Sequence, residues 1–252
     1  MSFLAVTTCN GEQWTQYGRA MATTFCRHWP EVRLRVYAEG FATEQNGRVE
    51  FVDLDSAAPW LAPWKESCGP SARGITPEGY RFRWDCVKFA HKIAAIGAAA
   101  DEFDEGVLIW MDADIVTHSP VSMTWLEGLF PEPADIAWLD RIGVYPECGF
   151  MMFRLPSALQ VIRDLVFVYR GGQVFEFAET HDSFVIQRIV NSAVASGEII
   201  VCSLSGEGRR HHHVLANSPL GTRLDHLKGK RKAMGRTPKH ERRVAGGGAY
   251  WS

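Results

Sequence analysis

Short apolar segments alternate with amphipathic helical ones along this chain, and that alternation limits the fold more than any other feature. "FLAVTT" (3–8), "LRVYA" (34–38) and "VEFVDL" (49–54) read as strands. Between them, Gln13 to Cys26 places Trp14, Tyr17, Met21 and Phe25 at helical spacing, and Trp84 to Ala100 puts Val87, Ala90, Ile93 and Ala94 on one helix face. There follow a strand "LIWMDADIV" (108–116), a helix over 119–129, and strands "DIAWL" (135–139) and "GFMMFRL" (149–155). Helices over 157–170 and 181–196 precede a last strand, "EIIVCSL" (198–204). Strands separated by helices imply an α/β fold on a largely parallel sheet, and such sheets bind ligands at the carboxyl ends of their strands. Residues 55–82, with four prolines and three glycines, read as one long functional or mobile loop.

The 252 residues suffice for one large domain. Hydrophobic residues make up 46% and charged ones 22%, and no apolar run approaches the roughly 20 residues needed to span a bilayer. "MSFLAVTTCNG" reads as a first strand and not a signal peptide. Six scattered cysteines without a C-x-x-C pair suggest free thiols in a reducing compartment, so the cytoplasm is the expected location. Charge is unevenly spread. Glu207 to Arg243 holds 11 Lys/Arg against 3 Asp/Glu, a net +8, while the remainder is net −10. The basic segment suggests a place where an anion gathers, either a diphosphate or a nucleic acid backbone.

The sharpest local feature is the pair Asp112 and Asp114 at the end of an apolar strand. On extended backbone, residues i and i+2 face the same side, so both carboxylates would meet at one spot and resist double ionisation. A hard divalent cation such as Mg²⁺ or Mn²⁺ relieves that, taking oxygen ligands from carboxylates and substrate phosphates. The alternative is a turn cap beside a solvated carboxylate.

A second motif lies far downstream in "DHLKGKRK", where His226, Gly229 and Lys232 spell H-x-x-G-x-x-K. A strand-borne D-x-D followed by this motif resembles the nucleotide-sugar glycosyltransferases of the GT-A fold, in particular the glycogenin- and galactosyltransferase-like group. The resemblance implies a Rossmann-like nucleotide-binding half merged with an acceptor-binding half. It implies Asp112, Asp114 and His226 as ligands to manganese or magnesium, and Lys232 as a contact to the diphosphate of a UDP-sugar donor. On the same resemblance the chain is one GT-A domain over 1–252. Residues 1–118 would form the nucleotide-sugar half, 119–206 the acceptor half, and 207–252 a basic segment closing the donor site.

"TTCNGEQWTQY" resembles the first strand and loop of that group, which makes Thr7, Thr8 and Tyr17 candidate nucleotide contacts; core packing is the alternative for Tyr17. "RFRWDCVKFAHKI" resembles the family's helix before the D-x-D, so Lys88 would reach the donor or else lie on a solvated face. "PECGFMMFRL" resembles an N-x-G-x-x-x-F strand, with Cys148 standing where a polar residue is usual. "THDSFVIQ" resembles a helix start whose acidic residue, Asp182, lies near the sugar or caps the helix. Resemblance to the glycogenin-like group implies retention; inversion would require Asp140 or Asp182 as a general base. The run His211–His213 reads as a solvated loop or a metal or phosphate contact.

Two other functions stay open at this point. D-x-D-x-[TV] also fits a haloacid-dehalogenase-like phosphatase, with Asp112 as nucleophile and Asp114 as acid/base. The basic tail, with Tyr250 and Trp251, fits a nucleic-acid-binding module. The last idea combines with sugar transfer if the acceptor is a hydroxymethylated base in DNA, as some phages encode.

Overall fold

The structure is a computed structural model that describes residues 1–41, 47–210, 213–242 and 249–251. In chain order its strands are β1 (Phe3–Asn10), β2 (Arg33–Glu39), β3 (Val49–Asp53), β4 (Arg73–Thr76), β5 (Gly79–Asp85), β6 (Gly106–Met111), β7 (Ile115–Thr117), β8 (Ile136–Leu139), β9 (Glu147–Leu155), β10 (Val201–Ser203) and β11 (Leu224–His226). Seven of them form the central sheet, in the order β10-β8-β9-β6-β1-β2-β3. Within it only β9 runs against its neighbours, so the sheet is mostly parallel, as the alternation of elements requires.

Every residue of β6 is buried, as a strand covered on both faces demands. Period-two alternation sends Leu108 and Trp110 into one core layer, and Val107, Ile109 and Met111 into the other. The helix Cys86–Glu102 covers the first layer with Val87, Ala90, Ile93 and Ala94, and the helix Arg19–His28 covers the second with Met21, Ala22 and Phe25. Each fully buried large side chain contributes about 1.5–3 kcal/mol, so these layers fix the strand ends firmly.

Three expectations from sequence are corrected. The segment 108–116 is not one strand: β6 stops at Met111, Asp112–Asp114 form a turn closed by Ile115 N–H donating to the Asp112 carbonyl at 3.0 Å, and β7 follows. Two carboxylates cannot continue into an apolar core, so the chain leaves the sheet where they begin. The 55–82 stretch is ordered, with short helices Leu54–Ala57 and Leu61–Ser67 followed by the β4–β5 hairpin. Pro63 falls in a first helical turn, where proline is tolerated, and Trp64 packs against Tyr169 and Phe175. Trp84 belongs to β5; the next helix starts at Cys86, where the Asp85 side chain accepts the Lys88 N–H at 3.0 Å.

No described helix is long and apolar enough to cross a membrane. All six cysteines are free.

Candidate functional site

Strand order reverses between β1 and β6, the place where open α/β sheets form a crevice beyond their carboxyl ends. A cleft of about 380 Å³ lies there, lined among others by Thr8, Asn10, Tyr17, Asp112, Asp114 and Lys232. The Asp112 N–H donates to the Gly149 carbonyl at 2.7 Å, which ties the turn to the start of β9.

His226 reaches this turn because β11 pairs antiparallel with β7, with His226 opposite Ile115. Its Nε2 lies 2.9 Å from Asp114 Oδ1 and 3.6 Å from Asp112 Oδ2, joining residues 112 positions apart. Gly149 gives the ring its room: a Cβ there would sit 2.4 Å from His226 Cε1. Gly229 takes φ +57°, a left-handed conformation that suits glycine, and turns the chain after β11. Lys232 then places Nζ 3.1 Å from Asp114 Oδ2 and 3.8 Å above the Tyr17 ring. Tyr17 itself stands on a π-helical turn, Trp14–Gly18, that interrupts the helical run after β1.

A buried lysine supports the acidic turn from below. Lys92 Nζ contacts Asp112 Oδ1 at 3.0 Å, Asp182 Oδ2 at 2.5 Å and the Cys148 carbonyl at 3.0 Å. Trp110 Nε1 donates to the same Asp112 oxygen at 2.8 Å. Burial alone would raise the Asp182 carboxyl, but Lys92 outweighs it and holds the group below its ordinary range. Glu147, buried on β9, contacts Lys228 Nζ at 2.5 Å, accepts the Gly149 N–H at 3.1 Å and lies 3.7 Å from His226 Nδ1. Burial would raise Glu147 and Asp114 as well. Lys228 and His226 pull Glu147 well below the carboxylate range, and His226 and Lys232 do the same for Asp114.

No protein-family model and no curated protein matches the chain. Solved structures do. The chain is similar to mouse xyloside xylosyltransferase 1 in its apo form, at 12% identity over 81% of this chain and 86% of that one, with a TM-score of 0.51. It is similar to a glycosyltransferase involved in the glycosylation of the major capsid of PBCV-1, at 11% identity over 93% and 98% of the two chains and a TM-score of 0.51. GlyE of Streptococcus pneumoniae TIGR4 aligns at 14% identity over 82% of this chain with a TM-score of 0.51; the chain spans about half, 46%, of that one. This is the GT-A glycosyltransferase fold.

On the GT-A frame the residues singled out from sequence fall in different places. Asp112, Asp114, Lys232, Tyr17, Thr8, Lys88 and Asp182 line the cleft, and His226 lies against the two aspartates. Thr7 is buried at 1% exposure, because alternation along β1 turns it to the opposite face from Thr8. Thr8 Oγ1 donates to the Tyr37 carbonyl and lies 2.9 Å from Glu39 Oε1. Asp140 does not line the cleft; its carbonyl accepts the Ser205 hydroxyl at 2.7 Å. Asp182 is not the side-chain cap of its helix: its Oδ1 accepts the adjacent Ser183 N–H, and Lys92 holds the other oxygen. His211 and His212 lie outside the described residues. His213 is buried against Thr237 at 2.7 Å, not solvated. Tyr250 stacks one face on His118 at 4.2 Å, and Trp251 is buried with Nε1 donating to the Gly221 carbonyl, so Trp251 is not open to stack on a base.

Sequence reasoning missed Lys92, Glu147 and Lys228. Lys92 lies one helical turn beyond Lys88 and differs from it only in burial. In N-x-G the polar position is two before Gly149, which makes it Glu147, and not Cys148, that fills the asparagine's place.

The donor chemistry of the turn fits a hard divalent cation. Asp112 and Asp114 offer carboxylate oxygens, and His226 lies against both with an imidazole nitrogen. Among the described residues, Asp112, Glu147 and His226 also bring one ligand-type atom each within 4.8 Å of the others.

Proposed function

We propose that the chain is a metal-dependent glycosyltransferase that moves a sugar, of the hexosyl type, from a nucleoside-diphosphate donor to a hydroxyl acceptor, with a UDP-sugar as the donor. The observation that carries this reading is the meeting of Asp112, Asp114 and His226 across 112 positions of sequence, at the strand-order reversal of a GT-A sheet. A bound manganese or magnesium ion would stabilise charge on a departing diphosphate.

Asp112, Asp114 and His226 would hold that ion. Lys232 stands at the same edge, where its ammonium meets phosphate oxygens. Tyr17, Asn10 and Thr8 line the wall at the end of β1 on which the nucleotide would rest. Asp182 faces the cleft beside Lys92, where it orients sugar hydroxyls. Clamped by Lys92 and held acidic, it makes a poor general base at neutral pH, which supports retention over inversion. In this reading residues 1–118 bind the nucleotide sugar, 119–206 meet the acceptor, and 207–252 complete the donor site.

The nearest alternative acceptor idea, a hydroxymethylated base in DNA, draws on the +8 segment. Two of those charges pair with acids of the cleft, Lys228 with Glu147 and Lys232 with Asp114, while Arg231 pairs with Glu241 inside the segment itself.

The test is a panel of nucleoside-diphosphate sugars assayed for nucleoside diphosphate release, with and without manganese and with and without hydroxymethylated DNA. A UDP-sugar should give release that needs the metal, and Asp114→Ala should remove it while the protein still melts cooperatively. Release indifferent to chelator and to Asp114→Ala would contradict the proposal. A DNA acceptor would add a contribution that falls steeply between low and moderate salt, and a small acceptor would not.

A further inference from the structure

Three lysines reach the acidic cluster, and they are not equivalent. Lys92 is enclosed, its side chain 9% exposed and its ammonium held by two carboxylates and a carbonyl. It cannot leave without unpacking the helix Cys86–Glu102. Lys228 and Lys232 stand at the mouth, with side chains 46% and 35% exposed, and each pairs with one carboxylate of the cluster, Glu147 and Asp114 respectively. Both stems can swing through the cleft without disturbing the core.

A cation among Asp112, Asp114 and His226 would be the largest local charge and would repel any ammonium within a few ångströms. Lys228 and Lys232 are the groups free to give way. Both line the cleft in which a diphosphate would lie. We infer that Lys228 is a second diphosphate-binding lysine, parked on Glu147 and handed to the donor when the cation binds, as Lys232 is handed over from Asp114. Each ammonium leaves a carboxylate for a phosphate oxygen; the ion would take its place at Asp114, and Glu147, whose ligand-type atom lies within 4.8 Å of those of Asp112 and His226, would face the same ion. It also makes cation and nucleotide binding mutually reinforcing, since coupling between two ligands is reciprocal. Glu147 is the positioning residue of this pair. Its carboxylate is itself fixed by the Gly149 N–H at 3.1 Å, so Lys228 is held at a defined place.

This inference rests on the metal-dependent reading above, and the experiment separates the two. Manganese binding to the full chain is followed by the electron paramagnetic resonance of free Mn²⁺, and UDP binding by calorimetry, each with and without the other ligand. The wild-type chain should bind manganese about tenfold or more tightly when UDP is present, within the usual range of coupling. Lys228→Met should tighten manganese alone by about threefold, because a competing charge is gone. The same variant should weaken UDP in saturating manganese by about tenfold, the loss expected for one charge-assisted hydrogen bond. Glu147→Gln, which releases Lys228, should tighten UDP in the absence of metal and shrink the coupling. Lys228→Gln serves as a second variant that keeps a polar contact to Glu147, and should behave as Lys228→Met does for UDP.

If wild-type manganese binding is intact but Lys228→Met leaves it unchanged or weaker and leaves UDP unaffected, the hand-over is wrong and Lys228 only pairs with Glu147. If the wild-type chain binds no manganese with or without UDP, the metal-dependent reading fails first and the hand-over with it.

Discussion

At Gly149 and Lys92 a single atom decides whether the acidic turn can assemble. Gly149→Ala would press a methyl group against the His226 ring, with Cβ 2.4 Å from Cε1 and 2.8 Å from Nδ1. Overpacking of this kind costs about 1–3 kcal/mol. We expect a lowered midpoint in denaturant unfolding together with weaker manganese binding, and a variant with both unchanged would show that the ring has more room than the contact allows. Lys92→Met leaves the 12%-exposed Asp182 carboxylate and its neighbour Asp112 without their shared cation. Breaking a buried pair by removing one partner typically costs 3–5 kcal/mol, about that much being expected here by chemical denaturation. Lys88→Met, on the same helix but exposed, should change stability by no more than about 0.5 kcal/mol.

The β7–β11 pair is the element on which the site depends, since it alone delivers His226 to the aspartates. Behind it, Asp225 is fully buried and accepts the Thr237 N–H at 2.7 Å, the Thr237 hydroxyl at 2.6 Å and the Tyr250 hydroxyl at 3.0 Å. These bonds pin both ends of the stretch that carries Lys228 and Lys232. Thr237→Val removes the hydroxyl shared by Asp225 and His213, and should destabilise the fold by about 1–3 kcal/mol in thermal or denaturant unfolding. At this scale the sequence was readable where one periodicity rules. The buried run of β6, the helix Cys86–Glu102 and the paired aspartates all announce themselves in hydrophobic spacing. What stayed hidden depends on pairing between distant segments. Nothing in "LDH" marks it as a strand until β7 is there to pair with it, and nothing local distinguishes Lys92 from Lys88 until burial does. The π-turn that presents Tyr17 is likewise invisible to a 3.6-residue period.

For the molecule as a whole, buried titratable groups set an acid limit. Burial lowers His118 and His213 below the ordinary histidine range. Asp182 and Asp225, which burial alone would raise, are lowered by Lys92 and by His213 with Thr237 respectively. All four release protons more readily folded than unfolded, so on acidification the unfolded chain takes up protons first. The stability they contribute is complete above about pH 6.5 for the histidines and about pH 4 for the carboxylates, and is lost as pH falls through those ranges. The melting temperature should therefore decline below about pH 6.5 and fall more steeply below about pH 4; a rise between pH 7 and pH 5 would contradict the assignment. In the proposed site a divalent cation sits where mid-chain carboxylates meet an imidazole from β11. Anomalous diffraction at the manganese edge, from crystals soaked in Mn²⁺ and UDP, tests this directly. One strong peak is expected within coordination distance of Asp112, Asp114 and His226, next to the diphosphate. UDP bound in the cleft with no peak there, or with the ion held elsewhere, would contradict it.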